Sequence, residues 1–323
     1  MKKMVFALLI ITAFLGLSSA NAQTKIVFSS TMPGTGLNKV VVDTFVSELK
    51  KSAPDMVVDL FLDGKLGGEK ELLEMLKLGE IDMQMGTLHT TQYHPELDAP
   101  SVPYLFPDYA SIKRFLAGPI GDKMNQALLQ KGNAVYLGIY SQGSRWTTSN
   151  KKFETVEELK GIKMRIAEIP IWLKVWNGLG ATVTPIPAPE VYSALKTGVV
   201  DGQDNMLSNI LGRKIYEAQK FLVNTSHLQA YVTIMAQKKF WEKLTPQKQT
   251  AIRNAVDVAT KLGDDQVTQQ NEEIIKKLQD LGLTLVQPKA EFRMKALPII
   301  EPIAKQTLAP GVYEEAVKAA QGK

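Results

Sequence analysis

Among the side chains of this sequence, Arg165 is the best placed to do chemistry with a ligand. Ile162, Met164 and Ile166 alternate with Lys163 and Arg165, which predicts a strand with its apolar set on one face and Arg165 on the other. Thr155 to Glu158 read as the capping box of a helix before that strand, with Gly161 as its stop. Pro170 suits the first turn of the helix that follows. Arg165 therefore lies near the C-terminal end of a strand feeding a helix, the edge at which open α/β sheets bind ligands. A guanidinium there suits a carboxylate, which it meets with two parallel hydrogen bonds and a permanent charge.

Catalytic chemistry is not expected. The sequence holds no G-x-S-x-G elbow, P-loop, G-x-G-x-x-G or H-E-x-x-H. It has no cysteine, which excludes disulfides, cysteine-zinc sites and thiol catalysis. His89 and His94 lie on a loop without an acidic cluster beside them, so no metal site is expected there, and no cofactor is implied. Asp201 and Asp204 flank a turn and read as loop-capping carboxylates rather than as a catalytic pair.

The elements that must position Arg165 follow from pattern. A strand Lys25 to Ser29, a helix Leu37 to Lys51, a strand Met56 to Leu62, a helix Glu69 to Leu78 stopped by Gly79, and a strand Ile81 to Met85 make a βαβαβ run, the grammar of a mostly parallel sheet. A proline-punctuated apolar loop leads to helices at Tyr109 to Leu116 and Gly121 to Gln130, then a strand Ala134 to Tyr140 that ends at Gln142-Gly143-Ser144. The grammar then repeats: the Arg165 strand, a helix Pro170 to Trp176, a strand Thr182 to Ile186, a helix Pro189 to Thr197 and a strand Val199 to Asp201. Glu71, Leu76, Lys77, Gly79 and Asp82 match Glu190, Leu195, Lys196, Gly198 and Asp201 at identical spacing, which suggests two α/β units of similar design. A return crossing is expected within Phe221 to Met235. A long helix from Pro246 to Leu281, roughly 50 Å if Gly263 does not interrupt it, would brace both units. A strand Leu283 to Val286 and a helical tail Glu291 to Ile303 complete the chain.

The length of 323 residues fits two domains. These are expected at residues 23–142 with about 231–270, and at 143–230 with about 271–323. The first residues read as a leader: Lys2 and Lys3, an apolar run from Met4 to Leu17, and Ala20-Asn21-Ala22 as the cleavage signal, so that residues 1–22 are removed and the mature chain begins at Gln23. The net charge of +5 falls by two when Lys2 and Lys3 leave. The remaining charges are interspersed, which reads as a solvated surface and not a nucleic-acid patch.

A family resemblance joins these observations. The segments Gly64-Lys65-Leu66-Gly67-Gly68-Glu69, Val102-Pro103-Tyr104-Leu105-Phe106, Gly143-Ser144-Arg145, Leu159 to Arg165, Glu190 to Leu195 and Thr197 to Asn205 occur in an order similar to that of the substrate-binding proteins of TRAP transporters, the C4-dicarboxylate-binding (DctP-type) family. The resemblance covers nearly the whole mature chain. It implies a two-domain α/β periplasmic binding protein fold, type II-like, that closes a cleft on a small organic acid and delivers it to membrane permease subunits; the protein is expected to be a periplasmic monomer. It implies that Arg165 clamps the carboxylate, that Arg145 is a second basic contact and that Asn205 is a polar contact to the same group. Trp172, one turn beyond Pro170, would wall the pocket, and Thr87 and Tyr231 lie on segments that approach the cleft in this architecture. The chain has Asp204-Asn205-Met206 where the family usually has Glu-Asn-Pro, which implies a looser loop. It also lacks an aromatic residue at Ala188 and an acid near Met85, both carried by sialic-acid-binding members. C4-dicarboxylates, uronates, other sugar acids, 2-oxo acids and small sulfonates all fit an anion site at Arg165. Alternatives are a receptor of an ABC importer or a sensor, or a secreted enzyme acting on organic acids.

Overall fold

The computed structural model describes residues 23–87 and 92–322. The expected leader and His89 lie outside these residues. The chain opens with β1 (Thr24–Ser30), α1 (Gly36–Ser52), β2 (Met56–Phe61), α2 (Glu69–Leu78) and β3 (Met83–Gly86). β1 is parallel to both β2 and β3, as right-handed crossovers demand. Two short 3₁₀ turns, Pro95–Leu97 and Ala99–Ser101, order the proline-rich segment before α3 (Tyr109–Leu116) and α4 (Pro119–Lys131).

The next strand corrects an expectation. β4 runs from Ala134 to Ser149, 16 residues, and does not end near Gln142. Its register against the return strand shifts between Ser141 and Gly143, and Gly143 sits at φ +74°. The glycine bends the strand through a bulge instead of terminating it. A Cβ at Gly143 would stand 2.3 Å from Nδ2 of Asn271, the amide that donates to the Gln142 carbonyl at 3.0 Å. Gly143→Val is therefore expected to destabilise the protein by roughly 2–4 kcal/mol, from left-handed backbone strain and displaced packing together. Urea unfolding measures it, and an unchanged midpoint would refute the account.

The repeat then follows as β5 (Lys163–Ile166), α5 (Pro170–Gly178), β6 (Thr182–Pro185), α6 (Val191–Lys196) and β7 (Gly202–Met206). Only a 3₁₀ turn, Glu157–Leu159, stands where a capped helix was expected. Half of the capping box is nonetheless made, since Glu158 accepts from the backbone of Glu154 and Thr155. β7 begins after Asp201, whereas the expected strand ended there.

The internal echo is physical. Gly79 and Gly198 both take positive φ after their helices. In the first unit, the Val27 amide donates to the Asp82 carboxylate at 2.8 Å and the Asp82 amide donates to the Val27 carbonyl at 3.0 Å. In the second, Lys163 and Asp201 make the same reciprocal pair, at 2.9 Å and 2.7 Å. Each aspartate thus sets the start of a strand against its parallel neighbour, and Asp201 is a capping carboxylate as expected. The sheet order repeats as well: β2-β1-β3 is completed by an antiparallel β9 (Gln229–Gln237), and β6-β5-β7 by an antiparallel β4.

Between them lie α7 (Leu207–Gly212) and β8 (Phe221–Val223). After β9 come α8 (Lys238–Lys243), the 35-residue α9 (Pro246–Asp280), β10 (Thr284–Val286), α10 (Glu291–Thr307) and α11 (Val312–Ala320). Thr245 caps α9 and Pro246 takes its first position. Gly263 does not interrupt α9. A Cβ there would lie 2.9 Å from Val41 of α1 and 3.1 Å from the Tyr140 ring, so the glycine lets the long helix seat against α1 and the sheet. α11 was not expected from pattern. Its Val312, Ala316 and Ala319 are buried.

Candidate ligand-binding site

The loops after β1 and β3 and the start of α2 face the ends of β5 and β7 across a small cavity, partly open to solvent. One wall carries Met32, Glu69, Lys70, Glu71 and Thr87; the other carries Arg145, Arg165, Trp172, Asn205 and Asn209. Five of the six expected site residues therefore meet in one cavity. The sixth, Tyr231 on β9, lines an adjoining cavity that shares Thr87, Arg145 and Trp172 with the first.

The walls touch at several points. Lys70 pairs with Glu168 at 3.2 Å, Arg213 donates to the Thr31 carbonyl, and a Cβ on Gly64 would lie 3.1 Å from Pro189. Thr87 is held by Glu69, which accepts from its amide and, at 3.1 Å, from its hydroxyl.

Arg165 is 3% exposed. Its Nε donates to the Ile186 carbonyl at 2.8 Å, which aims the remainder of the guanidinium fork. No carboxylate forms an ion pair with it among the described residues. Burial pushes its pKa down to about 10; Asp204 opposes this, while Arg145 and Arg213 reinforce it. It is a cation at neutral pH, out of water and without a counter-charge of its own, a costly arrangement unless an anion arrives.

Arg145 differs. It lies deep, 5% exposed, with Nε donating to Asp204 Oδ2 at 2.6 Å and a terminal nitrogen donating to the Asp204 carbonyl at 3.0 Å. Its guanidinium lies 4.5 Å from the Trp172 ring centre, a cation–π contact. The Trp172 indole N–H donates to the Ser101 carbonyl at 2.7 Å, so one side chain both walls the cavity and ties α5 to the segment before α3.

Asp204 was expected to cap a loop. It instead lies fully buried within β7. The register explains the pairing: Arg145 stands opposite Met206 and Thr147 opposite Asp204, which places Arg145 diagonally across from Asp204 on one face. Asp204 also meets His227 Nε2 at 3.3 Å, and His227 Nδ1 meets Thr225 Oγ1 at 2.9 Å. Burial opposes the ionisation of Asp204, but Arg145 and His227 together hold its carboxyl well below the usual range. Burial pushes the imidazole of His227 down, against the pull of Asp204.

Asn205 likewise sits in the β4–β7 ladder, paired opposite Trp146, on a strand and not on a loop. Its Oδ1 accepts from the Met206 amide at 3.1 Å and from Asn209 Nδ2 at 2.8 Å. Its Nδ2 donates to Gln203 Oε1 at 3.1 Å.

Asp204, His227, Glu69 and Asn209 were not singled out as site residues. Glu69 belonged to a motif that carried the resemblance. Asp204 would have been found by extending the period-two alternation of β4 past Tyr140, which puts Arg145 on a strand in need of a partner. His227 and Asn209 carried no local signal.

A family model described as DctP, bacterial extracellular solute-binding protein, family 7, matches residues 35–309. The sialic acid-binding periplasmic protein SiaP of Vibrio cholerae is 29% identical over 263 residues, 81% of each chain. A solute-binding protein of Verminephrobacter eiseniae is 29% identical over 293 residues, 90% of this chain and 88% of its own. Among solved structures, the sugar acid-binding protein DctPAm from Advenella mimigardefordensis, in complex with galactonate, superposes with a TM-score of 0.87 at 26% identity, over 92% of this chain and 98% of that one. The chain belongs to family 7 of the bacterial extracellular solute-binding proteins.

Proposed function

We propose that this family 7 protein is the periplasmic receptor of a TRAP transporter, binding a small organic acid through its carboxylate and delivering it to the membrane permease. Arg165 carries the reading: a buried cation at a strand end, with no ion-pair partner among the described residues, lining a cavity between two α/β units. In the proposal Arg165 takes the carboxylate, Arg145 and Trp172 form the wall beside it, and Asn205 and Thr87 complete the polar lining. Tyr231 borders the adjoining space. The units, residues 23–142 with about 231–270 and 143–230 with about 271–323, close over the acid, and residues 1–22 act as a cleaved leader. No residue set in this site calls for a cofactor, and delivery needs no chemical step.

The test uses protein secreted to the periplasm, whose mass is expected to correspond to a chain starting at Gln23. Organic acids are then screened by thermal shift. An acid at ~100 times its dissociation constant is expected to stabilise the fold by roughly 2.7 kcal/mol, and small-angle scattering is expected to show a smaller radius with the acid than without. A protein that no carboxylate stabilises would refute the receptor reading.

A further inference from the structure

Two observations in the cavity bear on what kind of acid it accepts. The first is charge. Lys70 is paired to Glu168 and Arg145 to Asp204. Arg213, next to the cavity, has Asp63 and Glu69 as its electrostatic neighbours. The lining carries three bases, Lys70, Arg145 and Arg165, against three acids, Glu69, Glu71 and Glu168. Arg165 alone among the cations that line the cavity has no ion-pair partner in the described residues. One carboxylate is thus accommodated, whereas a second would be desolvated opposite acids.

The second is an acceptor. Asn209 lines the cavity and is 3% exposed, and its Oδ1 has no hydrogen-bond partner among the described residues. The orientation of that amide is determined by its neighbours. The Met206 N–H requires an oxygen at Asn205 Oδ1, and that oxygen requires the nitrogen of Asn209 to face it. The atom left over on Asn209 is therefore an acceptor, which calls for a donor such as a hydroxyl group and repels a carboxylate. Glu69 and Glu71 line the same cavity and are acceptors too.

Building on the receptor reading, we propose that the cavity selects a polyhydroxylated monocarboxylate over a dicarboxylate. Arg165 takes the single carboxylate, and Asn209 Oδ1, Glu69 and Glu71 take hydroxyl groups. A hydroxyl satisfies the orphan acceptor, and a chain that lacks one leaves it buried and unpaired.

The experiment is calorimetric titration of the mature protein with four acids. D-Galactonate carries one carboxylate and five hydroxyls, galactarate replaces the far end with a second carboxylate, hexanoate keeps one carboxylate and no hydroxyl, and succinate has two carboxylates and no hydroxyl. Galactonate is expected to bind at least about tenfold more tightly than galactarate and at least about a hundredfold more tightly than hexanoate or succinate. Asn209→Ala is expected to weaken galactonate at least about fivefold more than it weakens hexanoate, which offers Asn209 no hydroxyl. Succinate or galactarate binding as tightly as galactonate, with Arg165 still required, would overturn the selectivity and leave the receptor reading standing. Hexanoate matching galactonate would overturn the hydroxyl part. An absence of binding by all four acids would overturn both.

Discussion

Arg165→Ala is expected to abolish high-affinity binding of whichever acid the thermal screen identifies. Among the described residues the guanidinium is the cavity cation without an ion-pair partner, and it is held out of water with its fork aimed by the Ile186 carbonyl. Removing one member of an ion pair closed away from water typically costs ~3–5 kcal/mol. At about 1.4 kcal/mol per decade, affinity falls by on the order of a hundredfold to several-thousandfold. The empty protein is expected to lose no stability and even to gain some, because the variant removes a buried charge that has no ion-pair partner among the described residues. Arg165→Lys is expected to bind weakly too, since an ammonium cannot make the planar two-pronged contact. Calorimetric titration of folded variants decides the matter. Near-native affinity in Arg165→Ala would mean that the anion sits elsewhere.

The opposite pattern is expected for Asp204→Asn. Here the partner that remains is Arg145, buried against Trp172, and the loss falls on the fold. A buried pair broken on one side costs about 3–5 kcal/mol, which for a protein of this size lowers the melting temperature by on the order of 10 °C. The pH dependence has a definite sign. The folded-state pKa of Asp204 is depressed, so its contribution is fully present above the unfolded-state value of about 3.9 and is lost as pH falls through the folded one. The variant is therefore expected to show a shallower loss of stability than the wild type below about pH 4. His227, pushed below its ordinary value near 6.5, acts in the same direction at higher pH: stability declines as pH drops under about 6.5 in both proteins. The substitution also removes one acid from around the cavity, so any binding of galactarate is expected to improve relative to galactonate. Thermal melts across pH test the first claim, and a melting temperature equal to wild type would refute the buried-pair account.

What was legible in the chain is what local pattern encodes. Glu69–Leu78 and Tyr109–Leu116 were read to the residue, because a glycine stop and a 3.6-residue apolar stripe are local signals. Arg165 was legible because a short alternating strand followed by a proline-started helix places its side chain without reference to distant residues. The repeated Glu-Leu-Lys-Gly-Asp spacing was legible, and the structure adds what that spacing does, since each aspartate clamps a strand to its parallel neighbour. The second half of β4 was not legible. Glycine at a bulge and glycine at a strand end look alike in one dimension, and what separates them is Asn271, more than a hundred residues away, beneath Gly143. The error propagated: with β4 cut short, Arg145 had no strand to sit on, and Asp204, without a diagonal partner, was read as a loop-capping carboxylate. His227 and Asn209 belong to the same class, defined by what they face and not by what adjoins them.

The position of β9 has a kinetic consequence. By space it belongs to the first part of the sheet, where Gly86 of β3 stands opposite Thr233; by sequence it comes after the whole second repeat, β5 to β7. The edge of β3 therefore remains unpaired until Gln237, the last residue of β9, has been synthesised. Long-range pairing of this kind slows folding, because loop closure precedes any gain from the contact. A nascent chain made of the first repeat alone cannot finish its own sheet. The first unit's sheet is therefore completed only after the second repeat has been made.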